Sequence, residues 1–295
     1  MKGGGREMRA LTRLALTALL LLICGNAYGG DPSTVARILS AGYLERVPQA
    51  PEDLRLSSEE AALVQERFVR EIAREFGRTV GYKAGLTNPS AQRRFGVDRP
   101  VRGVLLEGML LESGAVLSAR FGARPMAEGD LVVRVGCDGI NDASTADEAL
   151  ACIDAVIPFI ELPDLVFSRG VKLTAPMIVA VNVGARYGVL GEPLPLVQGE
   201  DWRRRLREFT VELLDPDGRK LTEGRGSDLM GDPLKVVLWI RDSLRAEGKS
   251  LRRGDLLSLG SITGLIPIRE GMVLRAVYKG LSPDGPVEVR VGFTE

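Results

Sequence analysis

The chain has 295 residues, with 39 lysines and arginines balanced by 39 aspartates and glutamates, 45% apolar residues and no histidine. The balanced charge, with no basic stripe interleaved with aromatics, gives no sign of a nucleic-acid partner. The missing imidazole excludes Ser-His-Asp and Cys-His nucleophilic catalysis, histidine general bases and imidazole-built zinc sites, so any chemistry rests on carboxylates, lysine, hydroxyls or a metal.

Residues 1–29 read as a secretory signal. Lys2, Arg6, Arg9 and Arg13 form a basic stretch before the apolar run Leu14 to Cys24. That run is too short for a bilayer, which needs about 20 apolar residues. Ala27-Tyr28-Gly29 puts small side chains at the two positions a signal peptidase reads, so cleavage is expected after Gly29. A lipoprotein anchored at Cys24 is disfavoured, because Ile23 stands where such a signal wants a small residue. The expectation is a periplasmic or secreted protein without stable membrane insertion after cleavage. Cys137 and Cys152 are then the remaining thiols. An even pair in an oxidising compartment suggests a disulfide, worth about 3 kcal/mol for a loop of about 15 residues, with two buried thiols as the alternative.

Beyond the signal the pattern predicts one domain over 30–295, helical over 30–78 and strand-rich over 79–295. A short helical pattern (Val35, Ile38, Leu39, Leu44) precedes Ser57-Ser58-Glu59-Glu60, a capping box. The helix it opens should run to about Glu75 with Leu63, Val64, Phe68, Val69, Ile72 and Phe76 as one buried stripe. Strands are expected at Thr79–Ala84, Val101–Leu111, Ala115–Leu117 and Leu131–Val135, then a helix at Thr145–Ile157. Further strands follow at Phe159–Leu162, Met177–Val183, Arg207–Leu214, Leu256–Leu259, Met272–Tyr278 and Val287–Phe293. Asp215-Pro216-Asp217-Gly218 makes a hairpin turn, and a helix is expected at Pro233–Glu247. Strands outnumber helices without alternating with them, which favours an α+β mixed sheet over a βαβ parallel one.

Several residues could carry chemistry. Glu128 and Asp130, two apart on a strand, project from one face with Cβ atoms about 6–7 Å apart, close enough to share a divalent ion. Acid pairs of this spacing are also common on solvated strands. Glu161 lies in the apolar run Val156-Ile157-Pro158-Phe159-Ile160-Glu161-Leu162 and is either an exposed edge residue or a buried charge needing a partner. Three such carboxylates would repel without a cation, and their oxygens suit Mg²⁺, Mn²⁺ or Ca²⁺. Lys83 stands in a glycine-flanked strand, Gly81-Tyr82-Lys83-Ala84-Gly85, where a surface lysine is the plain alternative. Gly260-Ser261-Ile262-Thr263-Gly264 sets two hydroxyls and backbone amides on a turn that could hold an oxyanion, or is an ordinary turn.

In order, these pieces resemble the 2-keto-4-pentenoate hydratase branch of the fumarylacetoacetate hydrolase family. The matching segments are Gly81 to Thr87, Pro125 to Leu131, Ile157 to Asp164, Gly231-Asp232-Pro233-Leu234 with Trp239, and Gly260 to Gly264. The resemblance implies a mixed β-roll with flanking helices and a Mg²⁺ or Mn²⁺ ion that chelates the carboxylate and 2-oxo group of a small 2-ketoacid. Carried over by position, the metal ligands are Glu128, Asp130 and Glu161. Lys83 stands beside the substrate, and Ser261 and Thr263 sit on the loop that helps hold it. Asn182 falls near a polar family position.

The implied activity is hydration of a 2-oxo-alkenoate such as 2-hydroxypenta-2,4-dienoate, as in aromatic compound catabolism. The same metal-bound enolate also serves 2-oxo acid decarboxylation and C–C hydrolysis, and an exported non-catalytic 2-ketoacid-binding protein is a third reading. A homo-oligomer is left open. Three departures from the family pattern stand out: Val101 occupies a slot usually acidic, Leu165-Val166 stand where an arginine often follows, and Asp130 is shorter than the usual glutamate.

Overall fold

The computed structural model describes residues 31–51, 53–196 and 201–295, so the expected signal segment lies outside the described residues. Helices α1 (Pro32–Glu45) and α2 (Ser58–Phe76) come first. Ser57 and Glu60 close the expected capping box on α2, whose buried face is Ala61, Val64, Phe68, Ile72 and Phe76. Leu63, expected in that stripe, is 47% exposed, because one residue before Val64 it lies a helical step of about 100° off the buried line.

Strand β1 (Thr79–Gly85), α3 (Pro89–Phe95), β2 (Val101–Leu106), β3 (Leu110–Glu112), β4 (Ala115–Ser118) and β5 (Met126–Val135) follow. A 3₁₀ turn at Glu107–Met109 divides the expected strand 101–111 in two. The expected helix at 145–157 stops early: α4 is Ala146–Ala151, opened by a Thr145/Glu148 capping box, and Ile153, Val156 and Ile157 belong to β6 (Ile153–Leu162). Their β-branched side chains suit the pleated strand that pairs with β5.

The expected strand 177–183 is instead helix α5 (Ala175–Ala180), because Thr174 caps the Met177 amide and Pro176 occupies the first turn. Next come β7 (Tyr187–Leu190), β8 (Leu194–Pro195), α6 (Trp202–Glu208), β9 (Thr210–Leu214) and β10 (Lys220–Arg225). Asp201 caps α6, so the strand expected from Arg207 begins only at Thr210. The Asp215–Gly218 turn joins β9 and β10 as the expected antiparallel hairpin. Helix α7 (Pro233–Arg245) and strands β11 (Leu256–Ser258), β12 (Ile266–Pro267), β13 (Val273–Ser282) and β14 (Gly285–Thr294) complete the chain.

One sheet runs β2-β1-β11-β5-β6-β7-β3, with β12 added to β5 and β8 to β6, and the second runs β10-β9-β13-β14-β4. The β1–β11, β4–β14 and β3–β7 pairs are parallel and the others antiparallel, which makes the architecture α+β with mixed sheets. The largest core cluster joins inward residues of both sheets with α7, through Leu131, Val133, Ile160, Val211, Leu274 and Val237 among others. A second cluster lies under α1, α2 and α5. A third, Val132, Ala155, Ile157 and Phe159, covers the opposite face of β5 and β6. Cys137 and Cys152 form the expected disulfide between the ends of β5 and β6, with Cα atoms 5.0 Å apart. No helix among the described residues is long and apolar enough to cross a membrane.

Candidate active site

Strand alternation assembles the site. On β5, Glu128 and Asp130 share a face with Val132, and on β6 Glu161 shares it with Phe159 and Ile157. The register sets Glu128 opposite Glu161 and Asp130 opposite Phe159, so all three acids lie within one step of the same strand pair. They are buried, with 6%, 0% and 3% exposure for Glu128, Asp130 and Glu161. The solvated-face reading of the pair is thereby rejected.

Lys83 is also buried, and β1 carries it to the same interior, where its Nζ donates to Glu161 Oε1 and, at 3.0 Å, to the Val183 carbonyl. Gly103, opposite Lys83 on β2, leaves room for the lysine stem: a Cβ there would stand 2.9 Å from Lys83 Cγ and 2.7 Å from the Asn182 carbonyl oxygen. Gly188 faces Glu161 on β7, and a Cβ there would lie 1.9 Å from Phe159 Cζ.

The Asp130 carboxylate accepts from the Ser258 hydroxyl at 2.5 Å on Oδ2 and from the Leu131 amide at 2.5 Å on Oδ1. Tyr278 on β13 ties the two carboxylate strands from behind. Its hydroxyl accepts from the Phe159 amide at 3.1 Å and lies 2.6 Å and 2.7 Å from the Asp130 and Phe159 carbonyl oxygens. Ser261 donates to the Thr263 carbonyl at 2.6 Å and also lies against Glu128, where it favours the charged form. The Thr263 hydroxyl accepts from the Gly129 amide at 2.8 Å and reaches the Gly264 carbonyl at 3.3 Å, so both its functions are engaged by backbone. Thr263 therefore braces β5 between the two acids.

Electrostatics follow from this crowding. Burial first, and the negative Glu161 second, hold the Glu128 carboxyl well above the usual carboxylate range, against the opposing pull of Lys83 and Ser261. Asp130 is raised by the same two causes, opposed by Ser258, the Leu131 amide and Lys83. Fully charged, the cluster carries two more negative than positive groups in a dry environment, and unpaired buried ions cost several kcal/mol each. Glu161 Oε2 is buried without any hydrogen-bond partner.

Excess buried oxygen charge and an orphaned carboxylate oxygen are what a hard divalent cation would satisfy. Glu128, Asp130 and Glu161 therefore fit such an ion by chemistry. Among the described residues no three acidic, cysteine or histidine side chains form a ready-made cage; Glu161 turns toward Lys83 and Asp130 toward Ser258.

Two residues received no role from the sequence. Ser258 is fully buried, and its signal was a lone hydroxyl in Leu256-Leu257-Ser258-Leu259. Asp164 accepts from the Ala123, Arg124 and Val166 amides and faces the buried Arg186 at 3.6 Å, fixing the turn just after Glu161. Asn182 is buried and holds the β2 backbone, accepting from the Val104 amide at 2.7 Å and donating to the Val104 carbonyl at 2.9 Å.

No family model matches the sequence. The 2-keto-4-pentenoate hydratase 2 of Dechloromonas aromatica is 26% identical over 254 residues, 85% of this chain and 94% of that protein. The structure of 4-oxalocrotonate decarboxylase from Pseudomonas putida G7, complexed with magnesium and adipate, superposes with a TM-score of 0.77 at 23% identity, covering 89% of this chain and 97% of that one. Fumarylpyruvate hydrolase from Pseudomonas aeruginosa, in complex with Mn²⁺ and pyruvate, gives a TM-score of 0.54 at 17% identity, over 73% of this chain and 90% of that one. The motifs read in order along the sequence and the shared fold agree: over most of its length the chain resembles the 2-keto-4-pentenoate hydratase branch of the fumarylacetoacetate hydrolase family.

Proposed function

We propose that the chain is a metal-dependent hydro-lyase that adds water to a 2-oxo-alkenoate, with 2-hydroxypenta-2,4-dienoate as the model substrate. The observation that carries this reading is the buried cluster of Glu128, Asp130 and Glu161 facing a single ammonium, Lys83. Glu128, Asp130 and Glu161 would hold Mg²⁺ or Mn²⁺. When bound, such an ion supplies a Lewis acid for the carboxylate and 2-oxo oxygens of a 2-ketoacid and so favours enolate charge. Lys83, steadied by Glu161 and the Val183 carbonyl, orients the substrate carboxylate or passes a proton during tautomerisation. Ser261 offers a hydroxyl on the Gly260–Gly264 turn. In the net reaction the hydroxyl of water bonds to the carbon conjugated with the ketone, and the proton goes to its neighbour.

The test is to incubate the purified protein with 2-hydroxypenta-2,4-dienoate, with and without Mg²⁺, and follow dienol absorbance and product mass. A product one water heavier that requires Mg²⁺ and is lost in Glu128→Gln and Glu161→Gln is expected. Full activity of either variant overturns the reading. The fold match to a 4-oxalocrotonate decarboxylase favours one competing reading, which CO₂ release from 4-oxalocrotonate would support. Mg²⁺-dependent binding of these acids without product would instead support a non-catalytic binder.

We also place this activity outside the cytoplasm. The basic and apolar N-terminal pattern and the Cys137–Cys152 bridge support that reading, because disulfides persist in oxidising compartments. Fractionation of the producing cell with an antibody to the chain tests it, and a wholly cytosolic signal would reject it.

A further inference from the structure

Strand β11 lies between the strand of Lys83 and the strand of the two spaced acids, with Ser258 registered against Lys83 on one side and Val132 on the other. Its other residue on that face, Leu256, packs against the apolar cluster of Val132, Ala155, Ile157 and Phe159. Ser258 thus takes an interior position where an apolar side chain would continue the layer. It is fully buried, and its hydroxyl makes one side-chain contact, the 2.5 Å hydrogen bond to Asp130 Oδ2. A buried hydroxyl without such a bond is destabilising, so position 258 tolerates serine because Asp130 is there.

The converse dependence is as strong. Asp130 is one methylene shorter than a glutamate, so its carboxylate sits closer to its own strand, where the Leu131 amide holds one oxygen and Ser258 the other. Both oxygens are directed by short hydrogen bonds, whereas Glu161 has one oxygen with no partner. Lys83 holds Glu161 by one oxygen, whereas protein donors hold Asp130 by both.

We propose that Ser258 is a positioning residue of the metal centre, acting through Asp130, and that the short acid and the buried hydroxyl form one functional unit. This rests on the metal-dependent reading given above. Partners that orient a ligand carboxylate typically change metal affinity by about 10–100-fold when removed. A serine that merely filled space would change fold stability and leave ion affinity alone.

The experiment is a double-mutant cycle with Ser258→Ala, Asp130→Asn and the pair, reading Mn²⁺ affinity by calorimetry and by loss of the free-ion paramagnetic resonance signal. Thermal unfolding in EDTA checks that each variant is folded. Ser258→Ala is expected to weaken Mn²⁺ binding by about 10–100-fold in the parent and by less than about twofold in the Asp130→Asn background, since the hydroxyl then has no carboxylate to hold. Asp130→Glu placed on Ser258→Ala is expected to recover affinity, because the longer acid no longer needs the hydroxyl. Equal Mn²⁺ affinity of the parent and Ser258→Ala, or an equal drop in both backgrounds, overturns the positioning role while leaving the metal site standing. Failure of the parent to bind Mn²⁺ overturns both.

Discussion

Replacing Glu128 with glutamine should stabilise the metal-free protein while removing its response to Mg²⁺. The Glu128 carboxylate is buried directly across the strand pair from Glu161, where Cβ atoms stand about 5 Å apart. At an effective dielectric constant of about 20, two full charges at that distance repel by about 3 kcal/mol. Lys83 and Ser261 offset part of this, which leaves a gain of about 1–3 kcal/mol for an uncharged isostere, in line with the neutral-to-stabilising effect of replacing buried ions. For a domain of this size that is a rise in Tm of about 3–9 °C. The sign with pH is fixed by the raised Glu128 pKa: the folded form holds its proton more tightly than the unfolded chain. The parent therefore keeps this stability below the ordinary glutamate range and loses it as pH rises through the folded-state value. The advantage of Glu128→Gln in EDTA should be smallest near pH 4 and widen as pH rises toward 8. Saturating Mg²⁺, at about 100 times its Kd, should add about 2.7 kcal/mol to the parent and nothing comparable to the variant. Scanning calorimetry across pH with EDTA or Mg²⁺ measures all four quantities. A variant less stable than the parent in EDTA at pH 8, with its Mg²⁺ shift intact, would refute the reasoning.

Three more perturbations probe the frame around the site. Tyr278→Phe removes the hydroxyl that bridges β5 and β6 through Asp130 and Phe159; a loss of about 1–3 kcal/mol is expected as a lower urea midpoint, and an unchanged midpoint would deny the clamp. Gly188→Ala drives a methyl into the Phe159 ring and should cost about 1–3 kcal/mol by overpacking, together with weaker Mn²⁺ binding if Phe159 shifts against Asp130. Cys137→Ser with Cys152→Ser should lower unfolding free energy by about 3 kcal/mol; dithiothreitol should bring the parent down to the same value, and a parent indifferent to reductant would mean that the bridge is not formed in solution.

The local part of this fold was legible because its causes are local. The Ser57 and Glu60 box, the Asp215–Gly218 turn and the acids two apart on β5 depend on neighbours within a few residues. What failed was where tertiary pairing overrides a local pattern: residues 153–157 keep helical spacing yet join β6, since the neighbouring β5 offers a full edge. At the site, spacing alone placed Glu128 and Asp130 together, but the pairing of Glu128 with Glu161 is a register across 33 positions of chain that no short window contains. Ser258 was invisible for the same reason. Its polarity has meaning only beside Asp130, and the two are separated by 128 positions.

The apolar slot at Val101 bears on how a proton could move here. Val101 on β2 pairs with Gly85, and a Cβ on Gly85 would stand 2.4 Å from Val183 Cγ1 and 3.4 Å from Val101 Cγ2. Val101, Gly85 and Val183 thus make an apolar wall beside Lys83, buried at Val183 and half-buried at the other two. That wall is held at a cost: Asn182 and Val183 both take left-handed backbone, with φ of 55° and 56°, and for a β-branched valine this is worth about 1–3 kcal/mol of strain. The Asn182 side chain maintains it by bonding both backbone groups of Val104, and the strained turn aims the Val183 carbonyl at the Lys83 ammonium. Strain kept where it directs one carbonyl at one cation argues that Lys83 itself is what the turn is built to place. With no acid at position 101, Lys83 is the ionisable group this wall presents to the three carboxylates.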